Sequence, residues 1–357
     1  MKNDFTNLLM DWNHRENSRK MPWKGEKDPY KIWLSEIILQ QTRVEQGWSY
    51  YETFIKTYPT IHDLAKAKDN QVLKIWEGLG YYNRCRNLLI TARTIVNQFQ
   101  GKFPNQYESI LSLKGIGPYT AAAISSFAFN LPHAVVDGNV YRVLSRFFGV
   151  DTPIDSKEGV KQFNSLAAIL LDKKQPGLYN QAIMDFGATI CKPSAPFCTT
   201  CPMKKKCKAF QTNQVNLLPV KLKILTKKNR HFVFYVFENE SKYWIQQRTS
   251  KDIWGGLFQF YLLEQEAAVK VNAIDMLPYL KEQLDIKPSD IYVDFMIKFD
   301  GYIQKLTHQN IHATFVKVPL KKKPNMLEKH NWVSLNSLKK RPFPKIINDF
   351  LVKDFKK

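Results

Sequence analysis

Apolar positions in the first 210 residues recur every three to four residues, which is the period of helices with one buried face. Asp28-Pro29 and Gly117-Pro118 strengthen two helix starts, because proline at the first helical position loses no hydrogen bond. We therefore expect residues 1–210 to form a mainly α domain. The predicted helices include Pro29–Gln46, Asn70–Trp76, Arg86–Phe99, Thr120–Phe129 and Gln181–Ile190.

The pattern changes after residue 228, where short apolar stretches bounded by turn residues are typical of strands. Residues 211–228 carry polar and basic residues with little periodicity, so they are predicted to be a linker. The second domain, 229–357, is therefore expected to be α+β. Its predicted strands are His231–Phe237, Tyr243–Gln247, Tyr292–Phe299 and Ile311–Val318, and a helical stretch is predicted near Gln265–Gln283.

The excess of basic residues indicates which class of molecule the protein binds. The chain has 53 Lys and Arg against 32 Asp and Glu, a net charge of +21, which indicates a polyanionic partner and nucleic acid first. No apolar run is long enough to cross a bilayer, and no basic amphipathic helix favours a membrane surface. The N-terminus lacks the apolar core of a signal peptide. We expect a cytoplasmic protein that associates with the nucleoid through DNA.

Four cysteines, Cys191, Cys198, Cys201 and Cys207, follow the spacing C-x6-C-x2-C-x5-C. Disulfides are disfavoured in a cytosolic chain with a lone fifth cysteine, Cys85. Four-cysteine zinc sites usually pair two short C-x2–4-C knuckles, whereas only one knuckle is present here. The spacing favours a [4Fe–4S] cluster in a loop at 191–207, and structural zinc stays open as the alternative.

Two further motifs indicate a DNA-binding site with chemistry. Gly115 and Gly117 lie in a predicted tight turn before a helix, where backbone N–H groups can approach a phosphate closely. Asp137 ends the apolar run Val135-Val136 and precedes Gly138-Asn139. An acid at such a position is costly unless it caps a helix or takes part in a reaction.

These motifs, in this order, resemble the helix-hairpin-helix DNA glycosylase superfamily that includes endonuclease III. Residues 21–207 are most similar to its adenine DNA glycosylases, the MutY family. The resemblance rests on Met21-Pro22-Trp23, Trp33–Thr42, Gly78–Tyr82 and Asp137–Val140. It implies a helix-hairpin-helix glycosylase domain with an iron–sulfur cluster loop, acting as a monomer on double-stranded DNA that contains adenine opposite 8-oxoguanine or guanine.

The resemblance also implies roles for the site residues. Glu36 would protonate N7 of a flipped adenine, and Asp137 would stabilise the cationic sugar at C1′. Tyr119 and Asn139 would support Asp137 and the water. Bifunctional members carry a lysine where Tyr119 stands, and a phenol cannot form the imine. We therefore expect monofunctional base release that stops at an abasic site.

Further contacts with the DNA are implied in the same way. Lys24 stands where the family typically has arginine, so the bidentate contact of that position is in doubt. The remaining residues fall into three groups: Arg19, Trp23, Lys24, Leu39, Gln181 and Met184 at the adenine pocket, Gln41 and Tyr81 at the opposite base, and Gly115 and Gly117 at a phosphate.

The C-terminal domain resembles the opening of a Nudix fold over residues 243–248 and 253–258. The catalytic box of Nudix pyrophosphatases is missing, because no arginine lies between Arg248 and Arg341 and Leu262 stands where an acid belongs. We expect this Nudix-like domain to bind rather than hydrolyse. Leu306-Thr307-His308 occupies the place of the Phe-Ser-His tip that senses 8-oxoguanine in adenine glycosylases.

Two other functions remain open at the level of sequence. A glycosylase for thymine or another mismatched base would share the cysteine loop, Asp137 and a tyrosine at position 119. Glu36 and the Nudix-like domain argue against it. A non-catalytic DNA-binding protein would use the hairpin and the cysteine loop alone.

Overall fold

The computed structural model describes residues 2–222, 226–248, 252–267, 272–327 and 331–355. Contacts between residues divide the chain into two units. Unit 1 comprises Met1–Lys66 and Asn87–Ile224, and unit 2 comprises Ala67–Arg86 and Leu225–Lys357. The segment Ala67–Arg86 thus packs with residues that follow it by more than 130 positions, which the hydrophobic pattern did not indicate.

Helices account for most of the ordered chain up to residue 211. The helix α5 and the first residues of α6 belong to unit 2, and the others belong to unit 1. Their bounds are α1 (Lys2–Arg15), α2 (Pro29–Leu39), α3 (Val44–Thr57), α4 (Ile61–Lys66), α5 (Asp69–Ile75), α6 (Tyr82–Gln98), α7 (Tyr107–Leu111), α8 (Pro118–Phe129), α9 (Gly138–Phe148), α10 (Lys157–Leu170), α11 (Pro176–Thr189) and α12 (Lys208–Gln211).

The predicted helix starts at Asp28 and Gly117 are confirmed. The Asp28 carboxylate accepts a hydrogen bond from the Tyr30 N–H at 2.9 Å, and Gly117 is the N-cap of α8. The prediction of one continuous helix over Pro29–Gln46 was wrong. The chain leaves α2 at Leu39 and begins α3 at Val44, because Gln41 adopts a left-handed φ of 56°, which a right-handed helix cannot accommodate.

The core of unit 1 lies among α1, α8, α9, α10 and α11. Phe5, Trp12, Phe163 and Phe186 are almost completely buried there, and the Trp12 and Phe186 rings pack edge to face. The helix α2 packs against α8, and α11 packs against both α8 and α9. Residues of α2, α8, α9 and α11 line a common cavity.

Unit 2 contains a mixed sheet in the order β6-β7-β1-β2-β8, with β5 also pairing with β1, and a separate pair β3–β4. Strands β1 and β7 run parallel, and the other pairs are antiparallel. The bounds are β1 (Lys228–Asn239), β2 (Lys242–Trp244), β3 (Gln246–Gln247), β4 (Phe258–Gln259), β5 (Tyr261–Gln265), β6 (Ile297–Lys305), β7 (Gln309–Pro319) and β8 (Trp332–Ser334), with helices α13 (Leu277–Leu284), α14 (Leu335–Lys339) and α15 (Lys345–Lys353).

The central strands are confirmed, since β1 contains His231–Phe237 and β7 contains Ile311–Val318. Residues 232–237 are buried throughout, because both faces of β1 are covered. The predicted strand Tyr292–Phe299 was wrong at its start: Val293–Phe295 form a 3-10 turn, and β6 begins at Ile297.

The predicted helical stretch Gln265–Gln283 is observed only towards its end, as the 3-10 turn Ile274–Met276 and α13. Its residues 268–271 lie outside the described ranges, as do residues 223–225 of the predicted linker. The backbone before residue 223 is part of unit 1, where the Ile154 N–H donates to the Val220 carbonyl at 3.0 Å. None of the helices in the described ranges is long and apolar enough to span a membrane.

Candidate active site

A cavity of about 580 Å³ in unit 1 brings together most of the residues predicted at the base and the sugar. Lys24 and Gly115 do not line it. Gln40 and Thr42 do, although neither was predicted as a site residue. The predicted residues in its wall are Arg19, Trp23, Glu36, Leu39, Gln41, Gly117, Tyr119, Asp137, Asn139, Gln181 and Met184.

Glu36 lies near the end of α2 and is 8% exposed. Burial raises its pKa to about 7, a hydrogen bond with Tyr119 acts in the opposite direction, and the charge of Asp137 raises it further. The apolar residues Trp33, Ile37 and Ile38 of the same helix are buried as well, and α2 packs against α8, so the Glu36 carboxyl group lies away from water. Glu36 therefore holds a proton near neutral pH, as a general acid requires.

Tyr119 lies in the first turn of α8, and its hydroxyl donates to the Met184 Sδ atom at 3.5 Å. Burial raises its pKa well above the ordinary value, and the charges of Glu36 and Asp137 add to the effect. The Tyr119 hydroxyl therefore stays protonated and acts as a hydrogen-bond donor beside Glu36 and Met184.

Asp137 is the N-cap of α9 and is half-buried. Its Oδ1 atom accepts from the N–H groups of Asn139 at 2.9 Å and Val140 at 2.8 Å, and Oδ2 accepts from Asn139 Nδ2 at 2.7 Å. Burial raises the pKa of Asp137, whereas these donors and the Arg142 charge lower it. Three N–H donors stabilise its ionised form, in contrast to Glu36.

A hydrogen-bond path continues from Asp137 to the cysteine loop. Asn139 Oδ1 accepts from Arg142 Nη2 at 2.8 Å, and Arg142 Nε donates to the Cys191 carbonyl at 2.7 Å. Because a guanidinium only donates, Arg142 forces Asn139 to present its amide nitrogen to Asp137. Arg142 was not predicted at the site, and the one signal for it in the sequence is an arginine within the apolar periodicity of α9.

Asp185 in α11 is a second residue that was not predicted at the site, and it is fully buried. Three residues predicted to contact the base converge on its carboxylate: Arg19, Lys24 and Gln181, each at 2.9 Å. Lys24 thus lies behind the cavity wall, where it also donates to the Arg19 carbonyl at 2.9 Å.

The predicted hairpin connects α7 to α8. Gly115 adopts a left-handed φ of 78°, and a Cβ atom there would lie 2.7 Å from the Asn87 Cβ, so only glycine fits. Gly115 and Gly117 are both exposed. The hairpin backbone and the N-terminus of α8 therefore face solvent, as contact with a phosphate requires.

The four cysteines of the loop 191–207 line one small apolar cavity of about 30 Å³, together with Phe147, Phe186 and Met203. All four are free thiols. The buried Arg146 joins this site to the loop backbone, since its Nη1 atom donates to Cys191 Sγ at 3.5 Å and to the Lys192 carbonyl at 2.7 Å.

Burial raises the pKa of Cys201 to about 12 and also raises that of Cys198 and Cys207, with the other thiols of the loop contributing. Within the described ranges, no three His, Cys, Asp or Glu side chains are spaced to hold a single metal ion. Four soft sulfur donors around one apolar space nevertheless fit the donor set of an iron–sulfur cluster, and zinc uses the same donors.

A second cavity, of about 590 Å³, lies within unit 2. It is lined by Gly78–Arg84 on one side and by residues 303–309 of the β6–β7 hairpin on the other. The hydroxyl groups of Tyr81 and Thr307 are in hydrogen-bond contact there. Leu306 and Thr307 are half-buried, and His308 is exposed.

Two aromatic residues of this second cavity, Tyr81 and Trp254, adopt left-handed backbone conformations with φ of 49° and 61°. Bulky side chains rarely occupy this region, and such strain concentrates at functional sites. The Tyr81 ring is 40% exposed and is covered on one side by the Arg84 guanidinium, 5.3 Å from its centroid. Gln41 in unit 1 shares the left-handed backbone and is also exposed.

The chain is similar to known DNA repair proteins over most of its length. A family model described as the HhH-GPD superfamily of base excision DNA repair proteins matches residues 34–168. The adenine DNA glycosylase of Buchnera aphidicola subsp. Acyrthosiphon pisum (strain APS) is 32% identical to this chain over 351 residues, which is 97% of each protein. This chain belongs to the adenine DNA glycosylase family.

A second relative and a solved structure are also similar to this chain. The adenine DNA glycosylase of Arabidopsis thaliana is 36% identical over 318 residues, 77% of this chain and 50% of that protein. A thermostable thymine-DNA glycosylase has a similar structure, with a TM-score of 0.55 and 31% identity over 59% of this chain and 97% of that one. A NUDIX domain model matches residues 232–353, which confirms the predicted fold class of both domains.

Proposed function

We propose that the chain is a monofunctional glycosylase that hydrolyses the N-glycosidic bond of adenine paired with 8-oxoguanine or guanine in double-stranded DNA. One observation carries the chemistry: a single cavity contains a buried carboxyl group with a pKa of about 7, Glu36, and a carboxylate held by three N–H donors, Asp137. Pairs of carboxyl groups with opposite environments supply an acid and an anion for glycosidic cleavage.

Glu36 acts as the general acid. Its proton goes to N7 of the extruded adenine, so that the C1′–N9 bond breaks with its electron pair on a neutral base. The resulting Glu36 carboxylate then takes a proton from the water that adds to C1′. Adenine and an abasic site are the products, and Glu36 returns to its protonated form.

Asp137 stabilises the positive charge that develops on the sugar. Its fixed orientation at the N-cap of α9 means that no reorganisation is needed as the charge forms. By analogy with retaining glycoside hydrolysis, it bonds transiently to C1′ before water enters. Tyr119 and Asn139 hold Asp137 and the water in place, and Tyr119 supplies no amine for lyase chemistry.

The second cavity is proposed to receive the base opposite adenine. The contact between Tyr81 and Thr307 places a stacking ring beside the hairpin tip Leu306-Thr307-His308. The Thr307 hydroxyl can report on the oxidised edge of 8-oxoguanine, while Leu306 packs against it. Gln41 fills the space in the DNA stack that base extrusion leaves, and Gly115 and Gly117 bind a phosphate.

Cys191, Cys198, Cys201 and Cys207 are proposed to hold a [4Fe–4S] cluster. Bound there, the cluster stabilises the loop 191–207 and takes no part in base release. Arg146 and Arg142 connect this loop to α9 and so to the site of Asp137. The division into domains 1–210 and 229–357 with a linker at 211–228, the monomeric state and a cytoplasmic location on the nucleoid belong to the same proposal.

The function is tested with a duplex that contains adenine opposite 8-oxoguanine. After incubation, alkali should reveal a strand break at the adenine, and omission of alkali should leave the strand intact. A duplex with thymine opposite guanine serves as the second arm, because the thymine-DNA glycosylase with a similar structure makes that base the rival substrate. Release of thymine but not adenine would refute the proposal.

Replacing the tip Leu306, Thr307 and His308 by alanine should reduce the preference for 8-oxoguanine over guanine by about tenfold or more, because a polar contact to a base is worth roughly 1–3 kcal/mol. Single-turnover rates on the two duplexes measure the preference. Glu240 and Ser241, in the turn between β1 and β2, replaced together by alanine provide the control. An unchanged preference in the tip variant assigns the recognition elsewhere.

Substitution Cys198→Ser should abolish the visible absorption of the cluster and lower the affinity for DNA by about tenfold or more. The loss of an outer-shell partner alone costs about 10–100-fold in metal affinity, so the loss of a ligand should release the cluster and the conformation of the loop 191–207. Cys85→Ala removes the cysteine that lies outside the loop and should retain both properties. Absorption spectra, metal analysis and binding isotherms measure the outcome. A colourless wild-type protein that contains zinc would contradict the iron assignment.

A further inference from the structure

Asp185 is a buried carboxylate that receives four hydrogen bonds behind the wall of the unit 1 cavity. Its Oδ1 atom accepts from Arg19 Nη1 and from Gln181 Nε2, both at 2.9 Å. Its Oδ2 atom accepts from Lys24 Nζ at 2.9 Å and from Asn17 Nδ2 at 3.0 Å. The side chain itself is 0% exposed, so each donor compensates the desolvation of its charge.

This carboxylate fixes the orientation of an amide in the cavity wall. An ionised carboxylate only accepts hydrogen bonds, so Gln181 must turn its Nε2 atom towards Asp185. The amide oxygen, Oε1, is then the group that Gln181 contributes to the cavity. Arg19, on the same carboxylate oxygen, contributes only N–H donors.

An acceptor beside a donor is the complement of one edge of adenine. Adenine presents its exocyclic amino group, a donor, next to N1, an acceptor, whereas guanine and hypoxanthine present a carbonyl next to an N–H. A site built for one hydrogen-bond pattern rejects the reverse pattern, because its buried polar groups are left unpaired. The pair Arg19 and Gln181 therefore matches an aminopurine.

We propose that Asp185 sets base selectivity by holding Gln181 and Arg19 in this acceptor–donor arrangement. Asp185 does not touch the base, so it is a positioning residue. The inference rests on the proposed function, in which the cavity receives the extruded adenine.

The substitution Asp185→Asn reverses the pattern without a change in shape. An asparagine that keeps its one oxygen for Lys24 and Asn17, on the Oδ2 side, places its amide nitrogen where Oδ1 stood, facing Gln181 and Arg19. Gln181 then turns its own amide and presents Nε2 to the cavity. A donor at that place suits the carbonyl of hypoxanthine better than the amino group of adenine.

The test compares single-turnover release of adenine and of hypoxanthine, each opposite 8-oxoguanine. Relative to wild type, Asp185→Asn should lower the ratio of the adenine rate to the hypoxanthine rate by at least about tenfold. Asp185→Glu, which only accepts hydrogen bonds, should restore most of the ratio. Asp172→Asn makes the same chemical change in the turn before α11 and should leave the ratio unchanged.

A merely structural role would slow the release of both bases alike and leave their ratio intact. If Asp185→Asn does not fold, Gln181→Met removes the same acceptor without disturbing the buried carboxylate and should lower the ratio to a similar extent. Adenine release by the wild type with an unchanged ratio in Gln181→Met and in any folded Asp185→Asn overturns this inference. No adenine release by the wild type instead overturns the proposed function.

Discussion

Replacing Glu36 with glutamine is expected to lower the single-turnover rate of adenine release by about 10²–10⁴-fold, the usual contribution of a general acid. Glutamine has nearly the same shape but cannot transfer the proton to N7. Binding of the duplex below pH 7 should change little, because Glu36 is buried and its pKa of about 7 keeps it mostly protonated there. A duplex with 2′-fluoroadenosine, which resists cleavage, allows the affinities of both proteins to be compared.

The rate of the wild type should also depend on pH through Glu36. Its pKa of about 7 keeps the acid protonated below neutrality, so the rate falls as pH rises through about 7. Glu158→Gln, an exposed position in the first turn of α10, should retain both the rate and the profile. If the Glu36→Gln variant releases adenine at a rate close to wild type, another residue supplies the proton.

The same substitution should change the pH dependence of stability. The folded-state pKa of Glu36 lies above its ordinary value of 4.5, so the folded protein binds the extra proton between these values. Stability is therefore lost as pH rises from 4.5 towards 7. Between pH 5 and pH 8 the wild type should lose about 2–3 kcal/mol more than Glu36→Gln, as measured by denaturant midpoints with tryptophan fluorescence.

Replacing Asp137 with asparagine is expected to lower the rate by at least about 10²–10³-fold, the cost of losing one preorganised electrostatic contact at the transition state. The variant keeps an oxygen to accept from the N–H groups of Asn139 and Val140, so α9 retains its cap. Adenine release and circular dichroism measure the two effects separately.

A stability cost should accompany this loss of activity, because Arg142 holds the Asn139 amide with its nitrogen facing residue 137. Two amide nitrogens would then face each other, which costs about 1 kcal/mol for the lost hydrogen bond. Asp28→Asn makes the same change at the N-cap of α2 and should retain the activity. A similar rate loss in Asp28→Asn would mean that capping, and not the charge of Asp137, limits the reaction.

Several features of the fold followed from local sequence signals. Proline and aspartate at Asp28-Pro29 specify a helix start through hydrogen bonds within three residues, and the structure contains that start. The continuous run of aromatic and β-branched residues in His231–Phe237 favours a buried strand, and the structure contains it. The loss of regularity at Gln41 was not predictable, because a left-handed conformation of a glutamine is set by its surroundings.

The sequence was informative about the candidate site where one side chain carries the chemistry. Asp137 could be selected as an acid at the end of an apolar run, whereas Glu36 and Tyr119 were implied by the resemblance to the glycosylase family. The structure lines one cavity with all three. The environments of these side chains could not be predicted from the sequence. The burial that raises the pKa of Glu36 arises from helices that are distant along the chain, and so do the donors around Asp185, which lie 161–168 residues from it apart from Gln181.

By itself, the sequence determined the order of the domains, the cysteine spacing, the hairpin glycines and the absence of a Nudix catalytic box, since each depends on residues close together in the chain. Only the tertiary structure decided that Ala67–Arg86 joins the C-terminal unit, that Tyr81 meets Thr307 and that Asp185 organises the cavity wall. These contacts join residues far apart in sequence, and long-range packing rather than local propensity determines them.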